Sequence, residues 1–187
     1  MKPIERSEPC GLVAETNLLA LAKAGDRAAF ERLLRQHQGA VRRQLLRLTQ
    51  GNSALADDLG QEAWVMVWRQ LPAFRGDAAF ATWLYRVAYT SFLMHRRRVG
   101  ADGTEATPST EEEIADLSDP VLRLDINRAV GNLPEPERVA VIHCLQLGLS
   151  HTEAAEVLGM PVGSLKTRLE RGRNRLREVL RAWETSS

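Results

Sequence analysis

Four side chains near the C-terminus, Lys166, Thr167, Glu170 and Arg171, carry the donors, acceptors and charge needed to read a base pair from its edge. Lysine and arginine donate to guanine, a threonine methyl packs on thymine, and a carboxylate accepts from the cytosine amino group. Lys166 and Glu170 are four residues apart, as are Thr167 and Arg171, so on a helix they form two adjoining rows on one surface. Ser164, Arg168, Arg173 and Arg175 flank those rows and suit phosphates, helped near the helix start by its dipole. Val162, Leu165, Leu169 and Leu176 supply the apolar stripe that docks such a helix.

Positioning these groups requires a turn and a supporting helix, and both are written just upstream. Gly148 can close one helix, and Ser150 with Glu153 forms a capping box for the next, Ser150 to Leu158. Gly159 stops it, and Pro161 begins the long basic helix. Two helices across a tight glycine-containing turn, the second basic, make a helix-turn-helix. A solvated amphipathic helix would share the basic face, but not the capping box, turn glycine and initiating proline together.

Upstream the chain also reads as helix. Asp26 can cap a segment whose apolar residues Phe30, Leu33, Leu34, Val41, Leu45, Leu46 and Leu48 recur at roughly the helical period. Gly51-Asn52 breaks it, and Asn52 or Ser53 can start the next, with Leu55, Leu59, Ala63, Val67 and Leu71 on one face before Pro72. Phe74 to Asp77 reads as a loop, and a further helix runs from about Ala79 to Arg98. No segment alternates with period two between hairpin turns, which argues against a sheet. The expected class is all-α: two small helical domains, a larger and a smaller, joined by a flexible acidic linker. The linker spans 99–118, where glycine, proline, serine and threonine mix with six acids and no base. Asp119-Pro120 is a cap followed by proline at the first helical position, and restarts order for about four short helices over 119–183.

The formal net charge is only +1, yet Pro161 to Arg181 holds seven bases against two acids. The near-zero total hides a basic end and an acidic middle, so any nucleic-acid contact is local. Two cysteines, Cys10 and Cys144, give neither a disulfide framework nor a metal-binding pair, and Cys144 lies in an apolar stretch as plain core. His37, His95, His143 and His151 are scattered outside any zinc-protease motif, and the chain has no P-loop or nucleophile elbow. An enzyme, a bound metal and a cofactor are therefore not expected. There is no secretory leader and no apolar run long enough to span a bilayer, so a cytoplasmic protein without membrane insertion is expected.

With these residues in view, the chain resembles the extracytoplasmic-function group of the sigma-70 family. The stretch from Leu133 to Arg138 is similar to the "LPxxxR" opening of sigma region four, and "GLSHTEAAEVLGMPVGSLKTRLERGRNRLREVL" to its helix-turn-helix. "AGDRAAFERLLRQH", "DDLGQEAWVMVW" and "FRGDAAFATWLYRVA" resemble successive parts of region two. The likeness implies a non-enzymatic factor that binds core RNA polymerase and directs it to promoter DNA, with region two over 15–98 and region four over 119–183.

Carried over position by position, the likeness assigns core polymerase clamp contacts to Asp57, Asp58, Gln61 and Glu62. It implies that Arg75, Gly76, Asp77, Ala78, Ala79 and Phe80 form a loop pocket for an unpaired base of the minus-ten strand. Arg86, Tyr89 and Thr90 would lie along that strand, and Arg96, Arg97 and Arg98 could hold upstream phosphates. Phe80 and Trp83 are assigned to the core rather than to stacking on bases. Lys166, Thr167, Glu170 and Arg171 would face the minus-thirty-five duplex. The acidic linker would either thread through polymerase or serve as a plain spacer. An anti-sigma factor is an expected partner, while residues 1–14, a short tail, match nothing interpretable.

Four positions depart from the family pattern. Tyr89-Thr90 stands where an Arg-Asn pair is common, Met94 where Asp is frequent, and Glu170 where an aromatic residue or His is frequent. Altered minus-ten and minus-thirty-five preferences are expected from them. Two rivals remain: a repressor that binds duplex operators without polymerase, and an anti-sigma protein. The second is disfavoured because a DNA mimic should be acidic where this chain is basic.

Overall fold

A computed structural model describes residues 10–102 and 128–184. The linker beyond Asp102, the Asp119-Pro120 restart and the first nine residues lie outside them. The described residues are helical, with no strand among them.

The N-terminal unit comprises α1 (Cys10–Lys23), α2 (Arg27–Leu48), α3 (Ser53–Gln70), a 3-10 turn (Leu71–Ala73) and α4 (Phe80–Asp102). Its boundaries are set by local chemistry. Asp26 caps α2 by accepting from the backbone N–H groups of Ala28 and Ala29, and Asn52 caps α3 by accepting from Leu55. The turn between α2 and α3 needs positive φ at both Gln50 and Gly51, a conformation that glycine adopts freely and glutamine does not. Leu33, Leu45, Leu46, Leu48, Leu59, Leu71 and Leu84 are fully buried where the four helices meet. Each such leucine contributes roughly 1.5–3 kcal/mol of burial, which outweighs the small propensity differences along these helices. α4 runs four residues past Arg98, where the sequence pattern places the break.

The C-terminal unit begins with a helical end at 128–131, followed by α5 (Glu135–Val141), a π-helical turn (Ile142–Gln146), α6 (His151–Leu158) and α7 (Val162–Glu184). The expected capping box is formed: Ser150 Oγ accepts from the N–H of Glu153, whose carboxylate accepts from the N–H of Ser150. Those hydrogen bonds from Ser150 hold the Glu153 carboxyl below the usual carboxylate range. Gly159 ends α6 in the left-handed conformation at φ +63°. Leu165 and Leu169 are buried beneath α7, whereas Val162, expected in the same stripe, is exposed at the helix start. Gly172 is where α7 runs against α5; a Cβ there would lie 2.8 Å from Val141 Cγ2.

The two units pack together. Buried Gln44 on α2 donates its amide to the Tyr85 carbonyl and to His143 Nε2, each at 3.0 Å. His143 Nδ1 lies 2.7 Å from the Val139 carbonyl, which can only accept. The proton therefore sits on Nδ1, and Nε2 is left as the acceptor for Gln44.

Candidate nucleic-acid interface

Two surfaces carry the polar groups singled out by the sequence. The first is α7. Lys166, Thr167, Glu170 and Arg171 are all exposed on consecutive turns, with Leu165 and Leu169 anchoring the opposite side. The Thr167 hydroxyl donates back to the Gly163 carbonyl at 3.1 Å, which leaves its oxygen as an acceptor. Ser164 and Arg173 are exposed beside this row. Arg168 is half-buried and reaches Met160 Sδ at 3.7 Å. Arg175 lies 2.9 Å from the buried Glu137 carboxylate, so part of its charge is spent on packing α7 to α5.

The second surface joins the loop after the 3-10 turn to α4. Gly76, at φ +80°, turns the chain, and Arg75 pairs with Asp77 at 3.1 Å. Arg75, Gly76, Ala78, Ala79 and Phe80 line a cleft of about 390 Å³, whereas Asp77, expected in the same pocket, is not part of its lining. The opposite wall comes from α1 and was not legible in the sequence: Glu15, Thr16, Leu19, Ala20 and Lys23. Lys23 Nζ donates to the Phe74 carbonyl at 2.7 Å and pins the loop to α1. Glu15 lies 2.9 Å from His37, and the His37 ring meets Phe80 edge-on at 5.3 Å. Phe80 is 6% exposed and stacks on Trp83 at 5.7 Å, in keeping with its assignment to the core. Along α4, Arg86 is half-buried, Thr90 exposed and Tyr89 buried. Burial raises the Tyr89 phenol above its ordinary pKa against the pull of Arg96 and Arg168.

The acidic start of α3 stands on the same unit. Asp57, Asp58, Gln61 and Glu62 are exposed. Arg42 holds Asp57 with two hydrogen bonds of 2.7 and 3.3 Å, and Arg98 holds Glu62 at 3.0 and 3.2 Å. Arg98 is thereby turned toward α3.

No described helix is long and apolar enough to cross a membrane, and no cluster of potential metal ligands occurs among the described residues. His143 was merely scattered in the sequence. In the fold it is fully buried. Burial lowers its pKa to about 4, against the opposing effect of its hydrogen bond to the Val139 carbonyl.

Residues 33–101 match the family described as Sigma-70 region 2, and residues 123–176 match Sigma-70, region 4. The chain is 34% identical over 171 residues to the ECF RNA polymerase sigma factor SigM of Mycobacterium tuberculosis, covering 89% of this chain and 85% of that relative. It is 30% identical to the ECF RNA polymerase sigma factor SigW of Bacillus subtilis, over 85% of this chain and 92% of SigW. Among solved structures, the sigma factor RpoE in complex with the anti-sigma factor NepR from Bartonella quintana aligns with a TM-score of 0.69 at 25% identity, covering 81% of this chain and 96% of RpoE. CnrH in complex with the cytosolic domain of CnrY aligns with a TM-score of 0.67 at 26% identity, over 90% of this chain and 98% of CnrH. The chain belongs to the sigma-70 family, in its extracytoplasmic-function group. It is a transcription initiation factor and not an enzyme.

Proposed function

We propose that this chain works in the cytoplasm by joining core RNA polymerase through the start of α3 and holding promoter DNA at two places in two states. The observation that carries this is the α7 surface, where Lys166, Thr167, Glu170 and Arg171 stand free in solvent on a helix braced by a capped partner. Such a row enters a major groove without rearrangement and reads the minus-thirty-five duplex. Ser164, Arg168 and Arg173 hold phosphates beside it, and Arg175 does so as far as Glu137 allows.

The cleft between α1 and the loop takes one unpaired base of the minus-ten strand. Its volume of about 390 Å³ accommodates a base, and its apolar lining from Leu19, Ala20 and Ala78 offers surface for the ring faces. Arg86, Tyr89 and Thr90 follow the strand onward. Capturing bases outside the stack favours the melted promoter over the closed one by differential affinity, with no nucleotide hydrolysis. Asp57, Asp58, Gln61 and Glu62 meet the polymerase clamp. An anti-sigma protein is proposed as a further partner, because the structural neighbour RpoE was solved with the anti-sigma factor NepR bound.

Run-off transcription with core enzyme and genomic DNA, followed by start-site mapping, tests the whole scheme. Initiation at a discrete set of sites sharing two spaced elements is expected. Tight sequence-specific binding by the chain alone, unchanged by core enzyme, would instead identify a conventional repressor or activator.

A further inference from the structure

The α1 wall of the cleft carries an ordered row of side chains. Glu15, Leu19 and Lys23 follow one another at four-residue spacing, so a carboxylate and an ammonium stand at the two ends with an apolar side chain between. Lys23 donates to the Phe74 carbonyl at 2.7 Å and fixes the loop across the cleft. Glu15 is half-buried and lies 2.9 Å from His37 Nε2 on α2, and buried Phe80 meets the His37 ring edge-on at 5.3 Å. A carboxylate only accepts, so His37 Nε2 carries the proton of that bond and occupies one Glu15 oxygen. The second oxygen keeps its acceptor capacity, on a side chain that lines a cleft otherwise apolar at Leu19, Ala20 and Ala78. An acceptor held in such a cleft tells bases apart by their edges. Adenine, cytosine and guanine each carry an exocyclic amino group that can donate, whereas thymine carries none. The one N–H on the pairing edge of thymine lies between two carbonyl oxygens, which a carboxylate repels.

We propose that Glu15 is a specificity-determining residue of this cleft, accepting a base that bears an exocyclic amino group and turning thymine away, with His37 as the residue that positions it. This rests on the assignment of the cleft to an unpaired minus-ten base. The ring faces of the base lie on Leu19, Ala20 and Ala78 while its amino group donates to the free oxygen of Glu15. The charge matters to the argument. A glutamine would tie α1 to His37 equally well and would not repel the phosphates of an incoming strand, so a carboxylate here lowers general affinity for DNA. Selection of the base edge is what that repulsion is exchanged for. Lys23, two turns along the same row, holds the loop against α1 and offsets part of the repulsion.

The test uses holoenzyme assembled from the full chain and core polymerase, with a promoter taken from the mapped start sites. Fork-junction probes carry each of the four bases, or an abasic site, at every unpaired minus-ten position in turn, and fluorescence anisotropy measures their binding. Ala78→Phe fills the cleft and so identifies the position it serves, where base identity ceases to matter; Leu19→Phe gives a second block from the opposite wall. At that position the parent should bind the best amino-bearing base at least roughly fivefold more tightly than thymine. Glu15→Gln keeps an acceptor for His37 and adds an amide donor, so thymine should gain there and the preference should fall below about twofold, with no change at other positions. His37→Ala should blunt the preference, and His37→Gln, which restores a donor, should recover most of it. Circular dichroism and core association should be equal in all variants. A parent that discriminates against thymine at no position, or a preference that Glu15→Gln leaves intact at the position the blocks identify, would overturn the proposal; in the second case the cleft keeps its base. If neither block removes base dependence at any position, the cleft takes no base, and its assignment falls together with the role of Glu15.

Discussion

Lys166, Thr167, Glu170 and Arg171 project from α7 into solvent, whereas Thr82, Arg86 and Tyr89 on α4 lie against the C-terminal unit. Both helices carry polar side chains at one-turn spacing, and both are assigned to promoter DNA. They differ in what faces them. The α7 row is presented by a local device, a capped helix and a glycine turn, and needs nothing else from the chain. The α4 row meets carboxylates from residues some forty to seventy positions away. Exposure of the α7 row is thus fixed by neighbours in the chain, whereas exposure of the α4 row depends on how the two units pack.

The sharpest way to break this contrast is to uncouple both faces from polymerase. Asp58→Lys with Glu62→Lys should weaken core association by at least about tenfold while leaving the helix content unchanged. The accompanying loss of the exposed Arg98 pair costs little stability. Co-sedimentation with core enzyme measures the effect, and unaltered association would move the clamp contact elsewhere.

A pH series probes the joint between the units. His143 is neutral in the folded chain, with its pKa near 4, and titrates near its ordinary 6.5 when exposed. The unfolded or opened form therefore binds the extra proton. The stability due to this site is complete above about pH 6.5 and falls as pH drops toward 4, at up to roughly 1.4 kcal/mol per unit. Gln44 and Tyr89, which face the ring, carry no charge in that window. Melting temperatures should fall between about pH 7 and about pH 5 by more in the parent than in His143→Phe; equal slopes would show that the imidazole is not the group concerned.

Arg171→Ala tests the α7 side alone. Loss of one base contact, worth about 1–3 kcal/mol, should reduce promoter-specific initiation roughly tenfold while core association holds. A parallel loss of core binding would mean that the two faces do not divide the work.

Smaller effects sharpen the account of how α7 is held. Gly172→Ala sets a methyl against stiff Val141, and overpacking of about 1–3 kcal/mol should exceed the alanine's gain in helix propensity. Net destabilisation in a denaturant titration is expected. A more stable variant would show that α5 and α7 can separate freely. Ser150→Ala should cost about 1 kcal/mol through loss of the α6 cap.

Short-range chemistry is legible in the sequence. The caps at Asp26, Asn52 and Ser150, the stop at Gly159 and the exposed rows of α7 follow from residues within one or two turns of each other. The loop residues lining the cleft are legible too, through likeness to the family. The α1 wall is not, because nothing in Glu15 or Lys23 announces a partner some fifty residues away. Gly172 gives no local sign either, since its reason lies in Val141 on another helix.

The chain order alone thus determined where the capped helices α2, α3 and α6 begin and which residues share a row on α7, because hydrogen bonds and side-chain rows within a helix depend only on near neighbours. Only the tertiary structure decided that His143 is buried and neutral, that Gln44 bonds to it across 99 positions, and that Glu156 sits on Arg86. Burial and cross-unit pairing are set by how whole helices pack, and no local pattern encodes which distant face will arrive.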